Sequence, residues 1–273
     1  MHCGTRQIRI PIETENKMTT TYAGLISDAQ REQYREEGYF LLEDVVPSDD
    51  LALLREECRR YIDEADAEMA TTKESARGIT HQGKRYFVSG KQAENERLRS
   101  YIYSELMAEV CRATLGLNAY LFWEQFVVKG AEVGMKFSWH QDSGYVGYDH
   151  TPYMSCWCAL DDMTEENGTV YILPFSRAGT RKREEHIVEE GSNDKVGYFG
   201  DDPGIPIIAP AGSLAVFTSV SFHRSGANRT DRMRRVYLSQ YSGCPIYTQD
   251  GSKLWGNAVQ FVKDNHQITP VVY

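Results

Sequence analysis

The hydrophobic periodicity of this chain changes once, near Gly116, and the change limits the folds available to it. Before that point apolar residues recur at helical spacing, as in the stripe from Leu51 to Ala65. After it, short apolar runs of strand length follow one another. They are Tyr120–Val128, Ser155–Leu160, Thr169–Leu173, Ile205–Ile208, Ser213–Thr218 and Arg235–Tyr241. Helices followed by many short strands predict a mainly β fold with flanking helices, a β-barrel or jelly roll.

The helical part divides into three segments. Ser27-Asp28-Ala29-Gln30 has the form of a capping box and predicts a short helix that ends at Gly38, followed by a strand at Tyr39–Leu42. Ser48 is expected to cap a longer helix that carries the apolar stripe. A third helical pattern covers Leu98–Leu115.

The chain contains no repeat or linker that would divide it. Residues 1–22 are polar and aperiodic and are expected to form a flexible N-terminal leader, which leaves one domain at residues 23–273. Hydrophobic residues make up 41% of the sequence, enough for a core without disulfides. Two polar stretches, Ala70–Tyr86 and Arg181–Gly204, are longer than ordinary hairpin loops; the second is expected to be a lid or a disordered segment.

Charge and cysteine content exclude several classes of protein. The formal net charge of −9 argues against nucleic acid or an anionic membrane as the main partner, since both favour clustered Lys and Arg, and no protein partner is evident. Six irregularly spaced cysteines and the absence of a signal-like apolar run predict a cytoplasmic protein with reduced thiols. Cys156 and Cys158 share one strand face, where they either pack in the core or bind a metal.

Three residues have the chemistry of a metal site. His140 and Asp142 lie two positions apart and would project to one side of an extended backbone. His223 opens a turn-like stretch after the strand at Ser213–Thr218. Two imidazoles and one carboxylate leave three positions of an octahedral ion open, as in non-haem iron(II) oxygenases, although zinc or manganese could also bind there.

A basic residue at a fixed distance from His223 could receive a dicarboxylate. In a strand beginning near Arg234, that residue shares a face with Val236 and Leu238, whereas Arg235 faces the other way with Tyr237. Only one of the two arginines can therefore point inward, and Arg235 takes that position if the register slips by one. A guanidinium binds a carboxylate through two parallel hydrogen bonds.

Together these motifs resemble the phytanoyl-CoA dioxygenase family of Fe(II)- and 2-oxoglutarate-dependent oxygenases. The resemblance extends from about Leu25 to Tyr241. It is carried by the helix and strand up to Phe40, Gln125-x-x-x-Lys129, Trp139-His140-Gln141-Asp142, Trp157-x-Ala159-Leu160-Asp161-Asp162, Glu166-Asn167-Gly168-Thr169, and His223-x-Ser225-Gly226-x-Asn228 with Arg234 eleven residues after the histidine.

The resemblance implies a double-stranded β-helix, a cupin-like jelly roll, that uses Fe(II), 2-oxoglutarate and O2 and releases succinate and CO2. It implies His140, Asp142 and His223 as catalytic metal ligands, and Arg234 as the partner of the distal carboxylate of 2-oxoglutarate. Ser225, Gln125 and Trp157 would line the cosubstrate site, although Trp157 could equally be core and Gln125 could satisfy a buried strand. Because halogenating relatives have a small residue at the carboxylate position, Asp142 implies hydroxylation or desaturation.

The sequence constrains the identity of the substrate less than that of the metal or the cosubstrate. Trp123 shares strand parity with Gln125, and Tyr145, Tyr148 and Tyr153 follow the metal motif. These aromatic residues either pack in the core or form a small-molecule pocket that suits an apolar skeleton or a cation. The acidic balance makes a coenzyme A thioester less attractive than a small amino acid, quaternary amine, phosphonate or natural-product intermediate. Two other functions stay open: a cupin-type metalloenzyme that does not use 2-oxoglutarate, and a catalytically silent ligand-binding barrel.

Overall fold

The computed structural model describes residues 22–192 and 194–271, so the expected leader lies almost entirely outside the described residues. The helices are α1 (Asp28–Glu37), α2 (Ser48–Thr72), α3 (Glu96–Ile102), α4 (Glu105–Thr114), α5 (Ser143–Val146) and α6 (Phe175–Ala178), with one 3-10 turn at Lys91–Ala93. The strands are β1 (Tyr39–Leu42), β2 (Ala76–Arg77), β3 (Thr80–His81), β4 (Arg85–Ser89), β5 (Ala119–Lys129), β6 (Phe137–His140), β7 (Met154–Ala159), β8 (Val170–Leu173), β9 (Ile187–Val188), β10 (Lys195–Val196), β11 (Ile205–Pro206), β12 (Leu214–Thr218), β13 (Phe222–Ser225), β14 (Arg234–Ser242), β15 (Val259–Lys263) and β16 (His266–Gln267).

Two antiparallel sheets form the body of the fold. The larger sheet has the order β1-β12-β7-β14-β5-β4-β3-β2, with β15 also paired to β5 and β16 paired to β15. The smaller sheet has the order β11-β8-β13-β6, and β9 and β10 form a separate hairpin. Strands that are distant in sequence are thus neighbours in each sheet, as in a jelly roll, and the predicted fold class is confirmed.

The alternation of side chains along the central strands gives the larger sheet two different buried faces. On one face Cys156, Cys158 and Tyr237 pack with the apolar sides of α2, α3 and α4. On the other face Trp157 and Leu238 pack with residues of the smaller sheet. A period of two in β7 and β14 therefore separates a helix-facing core from the space between the sheets, where the functional site lies.

The helix predictions are confirmed with two corrections. α1 has the predicted capping box, and Gly38 ends it in the left-handed conformation. Ser48 is the first residue of α2 rather than its cap, because Pro47 occupies the cap position without a side-chain hydrogen bond. The third pattern is two helices, since the side chain of Ser104 caps α4 and interrupts the helical run.

The structure also tests the predictions for the strands, for Cys156 and Cys158, and for membrane spans. The predicted strands are present. The strands β4, β6, β13 and β15 and the two-residue strands β2, β3, β9, β10 and β16 were not predicted, because each is short or carries polar residues. Cys156 and Cys158 pack in the helix-facing core, and burial raises the pKa of both thiols, that of Cys158 to about 12. Among the described ranges, no helix is both long and apolar enough to cross a membrane.

Candidate metal centre

His140, Asp142 and His223 converge between the two sheets. His140 ends β6 and lies directly opposite His223 of β13, the neighbouring strand, with the ring centroids 4.1 Å apart. The Asp142 Oδ1 atom lies 3.9 Å from His140 Nε2 and 3.6 Å from His223 Nε2. All three side chains are buried, and their ligand atoms lie within 4.8 Å of one another. The three groups can therefore hold one ion on one of its faces.

The hydrogen bonds of the two imidazoles leave the Nε2 nitrogen of each ring free for a metal. His140 Nδ1 lies 2.8 Å from the carbonyl oxygen of Ser138, and His223 Nδ1 lies 3.1 Å from that of Ser221. Because a carbonyl can only accept, each Nδ1 carries the proton and each Nε2 presents its lone pair to the site. Burial, and then the proximity of His223, lower the pKa of His140 well below its ordinary value, which favours the neutral ligand form.

The backbone brings these residues together in a way that differs from the prediction. Asp142 has helical dihedral angles (φ −58°, ψ −37°) at the start of α5, so it reaches the site by a turn rather than by strand parity with His140. His223 lies within a regular strand and not on a turn-like stretch. Its two neighbours β6 and β8 fix its direction, and Ser225 shares its face.

Two side chains that the sequence did not indicate hold the outer oxygen of Asp142. Oδ2 accepts hydrogen bonds from Ser155 Oγ at 2.5 Å and from Gln240 Nε2 at 2.8 Å. Gln240 also donates to Ser155 Oγ at 2.9 Å. Oδ2 is thereby occupied and Oδ1 is directed at the histidines, so the carboxylate is oriented to give one oxygen to the ion.

Ser155→Ala is expected to weaken metal binding because the Asp142 carboxylate loses the shorter of its two hydrogen bonds. The dissociation constant for Mn(II), measured anaerobically by electron paramagnetic resonance, should rise roughly tenfold or more, in keeping with the effect of outer ligand contacts. The unfolding midpoint without metal should change little. An unchanged dissociation constant would show that Gln240 alone orients Asp142.

A chamber next to the triad has the properties of an anion site. Arg234 is 2% exposed, and its Nη2 donates to the carbonyl oxygen of Gly168 at 3.0 Å. Its Nε and Nη1 atoms are buried and have no hydrogen-bond partner among the residues that the structure describes. Burial lowers the pKa of Arg234 to about 10, so the group is still charged at neutral pH. A buried cation with two unpaired donors requires an anionic ligand. We call this space the cosubstrate chamber.

The register settles which arginine faces the cosubstrate chamber. Arg235 points to the outside, where its Nε, at 3.0 Å, and its Nη2, at 2.5 Å, donate to Asp161. Gln125, Trp157 and Ser225 line the chamber with Arg234, and their side chains make no hydrogen bond to any other residue in the described ranges. All four residues thus border one space, while Trp157 also belongs to the core between the sheets.

The cosubstrate chamber contains further basic groups. Arg85 of β4, Lys129 at the end of β5 and Arg224 of β13 also line it. Burial, and then Arg234 and Arg85, lower the pKa of Lys129 well below its usual range. Nothing in the sequence indicated Arg85, because this residue lies in a stretch that reads as a polar loop.

A second chamber of about 190 Å³ adjoins His140 and Asp142. We call it the substrate chamber. Trp123 and Tyr145 line it, as predicted, and so does Gln125, which borders both chambers. An irregularity opposite Gln240 in β14 leaves Phe122 of β5 without a cross-strand partner, so Phe122 and Trp123 both border the chamber.

Tyr148 does not reach the substrate chamber. Its ring packs behind the chamber against a small apolar cluster, and its hydroxyl donates to the carbonyl oxygen of Tyr247 at 2.5 Å. The reason is the short helix α5, which ends at Gly147 and turns the following residues outward. Tyr153, Gln240 and Trp255 complete the wall instead.

The Arg181–Gly204 segment is ordered against the metal motif. Gln141, between the two ligands, accepts from the backbone of Glu184 at 2.7 Å, and its own backbone N–H donates to His186 Nε2 at 2.9 Å. The imidazole of His186 fits between Gly144 and Gly197, where any Cβ would lie within 2.6 Å of the ring. His186 is thus a half-buried contact of the segment with the site, a role that the sequence did not indicate.

An ion pair fastens the same segment to the larger sheet. The carboxylate of Asp194 receives hydrogen bonds from Arg85 Nη2 at 2.7 Å and Nη1 at 3.1 Å, and both side chains are 1% exposed. Asp194→Ala would leave a buried guanidinium unpaired, so it should lower the free energy of unfolding by about 3 kcal/mol, measured in urea. It should also speed proteolysis between residues 181 and 204.

Asp202→Ala is the matched control, because Asp202 pairs with Arg177 at the exposed end of the segment. That variant should leave both the unfolding free energy and the cleavage rate near the wild-type values. Equal cleavage of the two variants would contradict a fastening role for Asp194.

Comparison with known proteins agrees with this geometry. The family model described as phytanoyl-CoA dioxygenase (PhyH) matches residues 34–236. The chain belongs to the phytanoyl-CoA dioxygenase family. The match contains all three proposed metal ligands and Arg234, and the family predicted from the sequence is confirmed.

Relatives of this phytanoyl-CoA dioxygenase family member include dioxygenases named for different substrates. The peroxisomal phytanoyl-CoA dioxygenase of Rattus norvegicus is 25% identical over 250 residues, which cover 84% of this chain and 72% of the relative. The ectoine dioxygenase of Stutzerimonas stutzeri (strain A1501) is 26% identical over 236 residues, covering 77% and 75%. EctD from S. alaskensis, solved with 2-oxoglutarate and 5-hydroxyectoine, has a TM-score of 0.60 at 19% identity and covers 80% of this chain and 76% of its own. The predicted enzyme class, a 2-oxoglutarate-dependent dioxygenase, is the class to which these relatives belong.

Proposed function

We propose that this chain is an Fe(II)- and 2-oxoglutarate-dependent dioxygenase that hydroxylates or desaturates a small organic substrate and releases succinate and CO2. The observation that carries the proposal is Arg234, a buried guanidinium with two unpaired nitrogens in a chamber that opens onto the His140, Asp142 and His223 side chains. A metalloenzyme without an anionic cosubstrate has no need of such a group.

In this proposal the triad and the residues of the cosubstrate chamber have separate roles. The triad would hold the metal through His140 Nε2, His223 Nε2 and Asp142 Oδ1, with Oδ2 restrained by Ser155 and Gln240. Arg234 would bind the distal carboxylate of 2-oxoglutarate, with Ser225, Gln125 and Trp157 along the same chamber. When bound, iron with 2-oxoglutarate and O2 supplies the oxidising power that the side chains lack.

The proposal also covers the domain organisation, the partners and the cellular location of the protein. We expect a single catalytic domain over residues 23–273 with residues 1–22 as a leader. We expect a small-molecule substrate and no nucleic-acid, membrane or protein partner, in line with the net charge of −9. A cytoplasmic location is consistent with the buried, unpaired thiols of Cys58, Cys111, Cys156 and Cys158.

The proposal is tested by following carbon-labelled 2-oxoglutarate through a turnover at high enzyme concentration. Labelled CO2 and succinate should appear in equal amounts, and only with Fe(II) and O2 both present. Replacing Fe(II) by Zn(II), or adding a chelator, should stop both products. Iron binding without consumption of 2-oxoglutarate would instead favour the cupin-type enzyme, and binding of ligands without any turnover would favour the silent barrel.

A further inference from the structure

The two chambers that meet at the metal ligands differ sharply in charge. The cosubstrate chamber contains four basic side chains, whereas the substrate chamber has no Lys or Arg among its lining residues. Its wall is aromatic on almost every side, with one aliphatic residue, Ile79. The aromatic residues are Phe87, Phe122, Trp123, Phe137, Tyr145, Tyr153 and Trp255.

The single carboxylate of the substrate chamber is already engaged. Asp142 directs Oδ1 at the two histidines, while Oδ2 accepts hydrogen bonds from Ser155 and Gln240. No free carboxylate lines the chamber to balance a cationic substrate, and a divalent metal beside Asp142 would repel one. An anionic substrate group would have no basic partner there, and an unpaired charge in an apolar space is costly. The chamber therefore favours an uncharged group.

Besides Gln125, which borders both chambers, Tyr153 offers the substrate chamber a polar group that has no partner among the described residues. Tyr153 is 3% exposed and lines the chamber, yet its hydroxyl makes no hydrogen bond to another residue that the structure describes. Its ring is held at 4.4 Å from the ring of Phe122 and 5.7 Å from that of His150. Its backbone N–H donates to Ser219 Oγ at 3.0 Å. The hydroxyl of a largely buried tyrosine ordinarily has a partner, so one without a partner in the described ranges is available to a ligand.

We infer that the substrate chamber takes a compact, uncharged and mostly apolar group of about ring size, which carries one oxygen that accepts a hydrogen bond from the Tyr153 hydroxyl. This inference rests on the proposed function and narrows its substrate class. The size follows from the volume of about 190 Å³, which is below the roughly 300–1,000 Å³ of pockets that enclose a drug-sized ligand. A flat or chair-shaped ring fills such a space against aromatic faces.

Three probes that share a cyclohexane ring but differ in charge show which substrate charge the chamber prefers. Cyclohexanecarboxamide is neutral with a carbonyl acceptor, cyclohexanecarboxylate is its anion counterpart, and cyclohexylmethylammonium is the cation. Each is titrated calorimetrically into the anaerobic enzyme loaded with Fe(II) and 2-oxoglutarate. The carboxamide should bind at least about tenfold more tightly than either ion.

Variants of two tyrosines then test the hydrogen bond. Tyr153→Phe should weaken binding of the carboxamide by about tenfold, the usual effect of losing one buried hydrogen bond. Tyr148→Phe is the matched control, because this tyrosine lies outside the chamber, and it should bind the carboxamide as the wild type does. Binding of the carboxylate or the ammonium as tightly as the carboxamide would overturn the inference. So would an unchanged affinity in Tyr153→Phe, or no binding of any probe.

The loading step keeps this test apart from that of the proposed function. Binding of Fe(II) and 2-oxoglutarate depends on the triad and the cosubstrate chamber, and it is checked by absorption before any probe is added. If the loaded complex does not form, the proposed function fails. If it forms and the probes bind in the wrong order, only the substrate inference fails.

Discussion

Arg234→Ala is expected to raise the concentration of 2-oxoglutarate needed for half-maximal succinate formation by at least about 100-fold, because truncating one partner of a buried charge pair costs 2–5 kcal/mol. The buried guanidinium has two nitrogens without protein partners, and the dicarboxylate is the ligand that would satisfy them. Arg234→Lys should recover only part of the loss, since an ammonium cannot make two parallel hydrogen bonds to one carboxylate.

Arg235→Ala is the control for this experiment, one residue away on the same strand. Arg235 pairs with Asp161 on the outer side of the larger sheet, so its loss should leave the 2-oxoglutarate requirement within about threefold of the wild type, as expected for a partly exposed ion pair. Thermal unfolding of both variants checks that the sheet is intact. Equal effects of the two substitutions would remove Arg234 from the cosubstrate site.

Asp142→Ala is expected to abolish Fe(II)-dependent succinate formation. The substitution removes the one anionic ligand and leaves two neutral imidazoles, which hold a divalent ion weakly. Binding of Mn(II) should be lost in parallel, which separates failure to bind metal from failure of a later step. Asp142 is also the acceptor for Ser155 and Gln240, so those two donors become free to reach water in the variant.

Asp149→Ala is the matched control for the metal ligand. It removes a carboxylate seven residues further along, where the side chain is 95% exposed and forms a surface pair with Arg183. Metal binding and succinate formation should both be retained. Turnover of Asp142→Ala at the level of this control would refute the proposed ligand set.

Strand parity is the reason that the sequence allows only one of Arg234 and Arg235 to face inward. In β14, Val236 and Leu238 pack between the sheets while Tyr237 packs against the helices, so Arg234, which shares the parity of Val236, faces inward. The proposed metal ligands were predicted by type and spacing, although Asp142 reaches the site through a turn. Local sequence patterns were thus sufficient to predict the residues with the most distinctive chemistry.

The remaining wall residues could not be predicted because their positions depend on long-range contacts. Ser155 and Gln240 meet Asp142 only after β7 and β14 have paired, and no motif marks a serine or a glutamine for this task. Trp255 reaches the substrate chamber from the segment after β14. Arg85 and Asp194 come from two stretches that read as polar loops, and their pairing orders both. Tyr148 was predicted at the pocket because it follows the metal motif, but the end of α5 at Gly147 separates it from Tyr145.

The central claim, that the triad and the adjoining anion site bind iron and 2-oxoglutarate together, is tested most directly by anaerobic absorption spectroscopy. Addition of Fe(II) and then 2-oxoglutarate to the purified protein should produce a visible charge-transfer band, which is absent in Asp142→Ala and needs far more 2-oxoglutarate in Arg234→Ala. Admission of O2 should then bleach the band with formation of succinate. A protein that shows neither the band nor succinate would contradict the account.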